Sequence, residues 1–231
     1  MFDPGIPGIM TNPFYFARKG LAEGIREFSS GIKGRVLDVG CGTKPYESFF
    51  ECDEYIGLEI DSDEGRSNKR ADIFYDGKTF PFESSTFDCI ILNQVFEHVF
   101  DPDDFLDEVK RVLKPGGKML MTVPFIWDEH EQPWDYARYS SYGLKKILEK
   151  HIFSIIRQRK SVNNFSVIFQ LINAWVYKKL SLKNKYINYL LLLFLIFPIN
   201  LMGIISAIIF PVNEDLYLDN IVLAENKKGI S

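Results

Sequence analysis

Between Lys150 and Asn213 the chain has no aspartate and no glutamate. The same stretch carries Lys150, Arg157, Arg159, Lys160, Lys178, Lys179, Lys183 and Lys185. The whole chain nevertheless sums to a net charge of −4, so a nucleic-acid partner is not expected. Cysteine is scarce: Cys41, Cys52 and Cys89 are an odd number without zinc-ligand spacing, which fits a reducing compartment. The opening "MFDPGIPGIM" has no basic stretch followed by an apolar run, so no secretory signal is read and a cytoplasmic protein is expected. Internal repeats and low-complexity linkers are lacking as well. At 231 residues the chain suits a single domain, 1–231, with a sizeable core.

What is present alternates. Residues 13–33 hold a helix with Phe16, Leu21, Ile25 and Phe28 towards one side. Residues 34–160 then read as strand and helix in turn: "GRVLDVG", "EYIGLEID", "RADIFYD" and "FDCIILNQ" are strands, the third polar and so near an edge. Pro45 suits the first turn of a helix after the first strand. In "DPDDFLDEVKRVLKPGG", Asp101 and Pro102 start a helix, Phe105, Leu106, Val109, Val112 and Leu113 are its buried stripe, and Gly116 and Gly117 close it. "KMLMTVP", "SSYGLKKILEK" and "FSIIRQR" continue the alternation, and "DLYLDNIVLAEN", within 214–231, supplies a last strand. Such a pattern implies an α/β, doubly wound, mainly parallel Rossmann-like sheet, with ligands at the carboxyl ends of its strands. Residues 161–213 interrupt it as an apolar helical insertion.

The loop "VLDVGCGTKPY" follows the first strand. A triphosphate loop would end in Lys-Ser or Lys-Thr, but Lys44 precedes Pro45. A dinucleotide loop would place glycine where Pro45 stands, and Asp38 is awkward beside a pyrophosphate. Glu59, about twenty residues on, keeps a nicotinamide-dependent oxidoreductase open as a rival. A ligand with a cationic end explains Asp38 better. S-adenosylmethionine offers an ammonium for Asp38 and a ribose diol for Glu59, with Gly40, Cys41 and Gly42 close to it.

This loop, with "YIGLEID" and "FPFESSTFDCIILNQVFEHVFDPDDFLDEVKRVLKPGGKMLMTVP", resembles the class I S-adenosylmethionine-dependent methyltransferases, type 11 group, over roughly residues 34–150. The resemblance implies seven strands with an antiparallel last one. It also implies that Asp76 and Gly77 flank the adenine, Asp72 being the alternative, and that Asn93 and Gln94 border the methyl group. Lys44 departs from a glycine common in that family.

"PFIWDEHEQPWDYARYSSYG" is the candidate acceptor wall. His130 is the candidate base, and Trp134, Asp135, Arg138 and Tyr139 are the candidate substrate contacts; His98 is read as structural. The expected acceptor is a small molecule, a sugar or a lipid-linked glycan, methylated at oxygen. The segment 187–211 has no charge, and Pro198 is expected to break it into two apolar helices. With the lysines before it, residues 178–211 suggest peripheral contact with the inner face of the cytoplasmic membrane, the alternatives being a homodimer contact or the protein's own core. A non-catalytic membrane-surface protein is the remaining rival.

Overall fold

Strands β1 (Arg35–Val39), β2 (Glu54–Ile60), β3 (Ile73–Tyr75), β4 (Phe87–Asn93), β5 (Leu113–Pro124), β6 (Phe153–Lys160) and β7 (Asp219–Asn226) make one sheet in the order β3-β2-β1-β4-β5-β7-β6. They belong to a computed structural model that describes residues 2–63, 66 and 70–227. β1 pairs in parallel with β2 on one side and β4 on the other, and β2–β3 and β4–β5 are also parallel. β7 runs against β6: Ser161 N donates to Asp219 O at 2.8 Å and Lys227 N to Ile152 O at 3.2 Å. The sheet is thus mixed and Rossmann-like, and its strand order reverses between β1 and β4, where such sheets bind ligands.

The chain divides into two compact units, Ile25–Arg159 with Asn220–Ser231, and Met1–Gly24 with Lys160–Asp219. In the first, Leu37, Ile90, Leu92, Met119 and Met121 are buried, as runs of apolar residues covered on both faces must be. The helix Pro102–Val112 sets Leu106, Val109 and Val112 into this core. Ser140 caps the helix Ser141–Lys150 by accepting from Gly143 N.

Two local expectations fail here. After the glycine loop there is only a single 3₁₀ turn, Glu47–Phe49, because the chain must return at once to β2. Gly116 and Gly117 do not close a helix: the helix ends at Val112 and the chain goes straight into β5. The register jumps from Phe87↔Leu113 to Cys89↔Lys118, so the Pro-Gly-Gly stretch is absorbed as a bulge.

The second unit is helical: Ser166–Leu180, then Lys185–Leu191, a π-turn Leu192–Ile196, and Phe197–Ile209. The expected break at Pro198 is absent. Lys185–Ile209 is one helix of 25 residues, long and apolar enough to cross a membrane by length and composition. A proline lacks the N–H of the regular ladder and crowds the preceding turn, and the π-turn just before it widens the backbone there.

Candidate cofactor and acceptor site

Asp38 and Glu59 end up side by side because β1 and β2 pair in parallel, with Asp38 opposite Gly57 and Val39 opposite Leu58. Both carboxylates are buried. Asp38 accepts from the Tyr55 hydroxyl at 2.8 Å. Burial raises its pKa from 3.8 to about 7, against the lowering pull of that hydrogen bond and of Lys44. Glu59 lies at the neighbouring strand end and accepts from Gly42 N at 3.2 Å.

The loop between them is held against β2. Gly40 N donates to Leu58 O at 2.9 Å. Gly40 has φ +66°, and a Cβ there would lie 2.5 Å from the Val95 side chain, so glycine is required on both counts. Lys44 also takes a left-handed conformation, φ 52°, which a glycine would adopt without strain. Its side chain folds back over Gly57: a Cβ on Gly57 would lie 2.5 Å from Lys44 Cε. The ammonium pairs with Asp72, which also accepts from Gly57 N at 2.7 Å. Lys44 therefore fastens the loop to β2 and to the segment before β3. The Cys41 thiol is buried, and desolvation pushes its pKa to about 12, so it is inert near neutral pH.

The remaining candidates fall as follows. Asp76 is exposed and caps a turn, accepting from Lys78 N at 2.9 Å and Thr79 N at 3.2 Å, and Gly77 follows at φ +82°. Asn93 and Gln94, at the end of β4, are tied to one hydroxyl: Thr122 Oγ donates to Asn93 Oδ1 at 2.8 Å and accepts from Gln94 N at 3.1 Å.

After β5 the chain forms a loop braced by an ion pair. Arg138 makes two 2.6 Å bonds to Asp135, whose pKa falls to about 2 chiefly through this pairing. Asp135 also accepts from His130 N at 2.9 Å. Burial lowers the pKa of His130, favouring the neutral imidazole. Tyr139 stacks on Phe96 with centroids 5.0 Å apart, whereas Trp134 is 63% exposed and its carbonyl holds His98 Nδ1 at 2.8 Å. His98, read from sequence as structural, faces His130 with ring centroids 4.9 Å apart. Between them stands Glu97, whose side chain is fully buried; its backbone carbonyl accepts from Tyr136 N and Ala137 N. Sequence reasoning passed over Glu97, Tyr55, Gly57 and Thr122. Thr122 had a signal, as the one polar residue inside the apolar run of β5.

The family model for a methyltransferase domain matches residues 14–159. The chain is 37% identical over 100 residues to a fatty-acid O-methyltransferase of Mycolicibacterium smegmatis, an alignment covering 38% of this chain and 36% of the relative. It spans about half, or less, of the length of the curated relatives it matches. Among solved structures it resembles the cyclase SpnF, with TM-score 0.59, 18% identity, and 92% and 83% of the two chains covered. It likewise resembles phosphoethanolamine N-methyltransferase 2 of Haemonchus contortus, in complex with S-adenosylhomocysteine, with TM-score 0.56, 19% identity, and 90% and 52% covered. The structural likenesses show the fold, and the matched domain shows the family: this chain belongs to the class I S-adenosylmethionine-dependent methyltransferases.

Proposed function

We propose that this chain binds S-adenosylmethionine and transfers its methyl group to an oxygen of a lipid-linked or other amphiphilic acceptor at a membrane surface. The observation that carries the cofactor reading is the pair of buried carboxylates, Asp38 and Glu59, at adjacent strand ends beside the loop. A buried aspartate whose proton is held up to about pH 7 is poised for a cation: an ammonium beside it restores the charged form and forms charge-assisted hydrogen bonds. Glu59 would accept from the two ribose hydroxyls. Asp76 and Gly77 would border the adenine, and Asn93 and Gln94 the methyl group. The bound sulfonium would supply an electrophilic methyl group: an acceptor oxygen attacking in line would form the O–CH3 bond as the S–CH3 bond breaks, with neutral S-adenosylhomocysteine as the leaving group. Orientation by the enzyme does most of the work in such a displacement. The acceptor hydroxyl must also lose its proton, and the cluster of Glu97, His98 and His130 is the proposed source of a base, with His130 first. Trp134, Asp135, Arg138 and Tyr139 form the proposed acceptor wall.

The nicotinamide alternative is weaker for a specific reason. The Gly42 N–H, which a pyrophosphate would use, is already engaged by Glu59, and Asp38 would repel the phosphates.

The acceptor class rests on the helix Lys185–Ile209 and its neighbour. Phe194, Leu201, Ile205, Ile208 and Ile209 are exposed, while Asn200 and Gly203 are buried. Lys178, Lys179, Lys183 and Lys185 are exposed where the two helices join. An apolar face flanked by lysines suits an anionic lipid surface such as the inner face of the cytoplasmic membrane. One crossing by this helix alone would separate β7 from the sheet it belongs to, which favours a helix lying along the surface over one that spans. The fatty-acid acceptor in one relative's name agrees with an apolar, oxygen-bearing substrate.

Titrating the protein with S-adenosylmethionine and, separately, with NADH tests the cofactor. Saturable binding of the first only supports this reading, and saturable NADH binding overturns it. Flotation with phosphatidylglycerol vesicles tests the surface, and a protein that ignores such vesicles removes the lipid-borne acceptor.

A further inference from the structure

We propose that Glu97, His98 and His130 form a binding site for one divalent transition-metal cation of the zinc class, with a fourth coordination position open to an oxygen ligand. The ligating atoms of the three residues all lie within 4.8 Å of one another. His98 Nε2 and His130 Nε2 each stand 3.9 Å from the same atom, Glu97 Oε1. In a tetrahedral zinc site, bonds of about 2.0–2.1 Å put ligand atoms roughly 3.3 Å apart, so a shift of some tenths of an ångström by each side chain closes the site.

The outer contacts are those that metal-binding histidines use. His98 Nδ1 is 2.8 Å from Trp134 O, an acceptor, so the proton sits on Nδ1 and the Nε2 lone pair faces Glu97. His130 Nδ1 lies 3.3 Å from both Asp128 O and Asp135 Oδ2, again oxygens that accept. Arg138 Nη2 lies 3.4 Å from the same nitrogen. Asp135 is itself held by two bonds from Arg138, so the ring is oriented by a carboxylate that is in turn braced. A fully buried glutamate with an imidazole nitrogen of each histidine 3.9 Å from the same carboxylate oxygen is a donor set that suits a cation.

The three ligands come from a 3₁₀ turn, Phe96–His98, and from the loop after β5, and the backbone carbonyl of Glu97 clamps that loop through Tyr136 N and Ala137 N. On the Nε2 side the exposed Glu131 also comes close, with Oε2 3.9 Å from His98 Nε2. Three protein ligands plus an outside oxygen is the pattern of catalytic rather than structural zinc. A bound hydroxyl would become more acidic there, and His130 would then act as ligand instead of base. That role rests on the methyl transfer proposed above; occupancy of the site does not.

The test uses the full chain, stripped with chelator and dialysed. Zinc is titrated calorimetrically, and cobalt is followed by its visible absorption. Cys52→Ser serves as the background, so that the half-exposed thiol is not the ligand. One zinc per chain is expected, together with cobalt bands of four-coordinate intensity. His98→Ala and His130→Ala should each weaken binding at least a hundredfold, and Glu97→Gln at least tenfold, with S-adenosylmethionine affinity kept. Loss of S-adenosylmethionine binding in the unmutated chain would count against the proposed function and leave this test intact. A folded protein that takes up no stoichiometric zinc overturns the proposal. So does zinc binding that survives both histidine substitutions. If His98→Ala fails to fold, His98→Gln with a far-ultraviolet dichroism check gives the same decision.

Discussion

The sheet end and the helical unit bury polar side chains for opposite purposes. At the ends of β1 and β2, Asp38 and Glu59 are buried beside the glycine loop, and burial makes the charge of Asp38 costly. In the helical unit, Gln170, Asn173 and Asn200 are just as buried but spent on backbone and on one another. Gln170 Oε1 accepts from Phe16 N at 3.0 Å and Ala17 N at 3.2 Å, which caps the helix Tyr15–Ser29, and its amide donates to Pro13 O at 3.0 Å. Asn173 donates to Asn200 at 2.8 Å, and Asn200 donates to Ile9 O at 2.8 Å. The first set is the proposed receptor, and the second is a weld. The outer faces differ too: the helix Lys185–Ile209 turns Phe194, Ile208 and Ile209 outward at 66%, 80% and 68% exposure, with Asn200 at 0%. A helix with its amides inside and its hydrocarbon outside fits the proposed contact with a lipid surface.

The comparison breaks most directly at the receptor. Asp38→Ala and Glu59→Ala should each weaken S-adenosylmethionine binding by two orders of magnitude or more, about 3 kcal/mol, measured by calorimetry with unchanged circular dichroism. Asn200→Ala, by contrast, should leave that affinity alone and lower stability by about 2 kcal/mol in chemical denaturation, because buried carbonyls lose their donor.

A pH experiment sharpens the contrast. Asp38 holds its proton more tightly folded than unfolded, so the fold is unburdened below about pH 4 and loses stability as pH rises from there through about 7. Asp38→Asn removes that burden. It should stabilise the ligand-free protein at pH 8 by roughly 4 kcal/mol, read as a higher melting temperature, and change its stability little at pH 4.

Smaller effects concern the lipid face and the loop. Replacing Ile208 and Ile209 by serine should lower binding to anionic vesicles by about tenfold to a hundredfold. Changing Lys183 to glutamine should cost about 1 kcal/mol of that binding, less in high salt. Lys44→Ala frees Asp72 and loosens the loop, and a loss of S-adenosylmethionine affinity of a few-fold is expected by calorimetry.

Much of this was legible in the chain. Strand ends carrying Asp38, Glu59 and Asn93 follow from apolar runs that stop at a polar residue, and β3 reads as an edge because it is short of apolar residues. The purpose of Lys44 was not legible, since its partner Asp72 is set by the pairing of β2 with β3. Pro198 misled because propensity rules treat proline as a helix breaker and carry no π-turn. Glu97 and His98 look like an ordinary helix start, and their meeting with His130 depends on the path of the loop after β5.

The most direct test of the central claim is calorimetric titration of S-adenosylhomocysteine into the wild-type protein and Asp38→Asn at pH 5.5 and pH 7.5. The ligand's ammonium stays largely protonated across this range, so the change reports Asp38. The account predicts wild-type affinity rising roughly tenfold between the two values, and weak, pH-flat binding by the variant. Equal affinity of the two proteins at both pH values would contradict it.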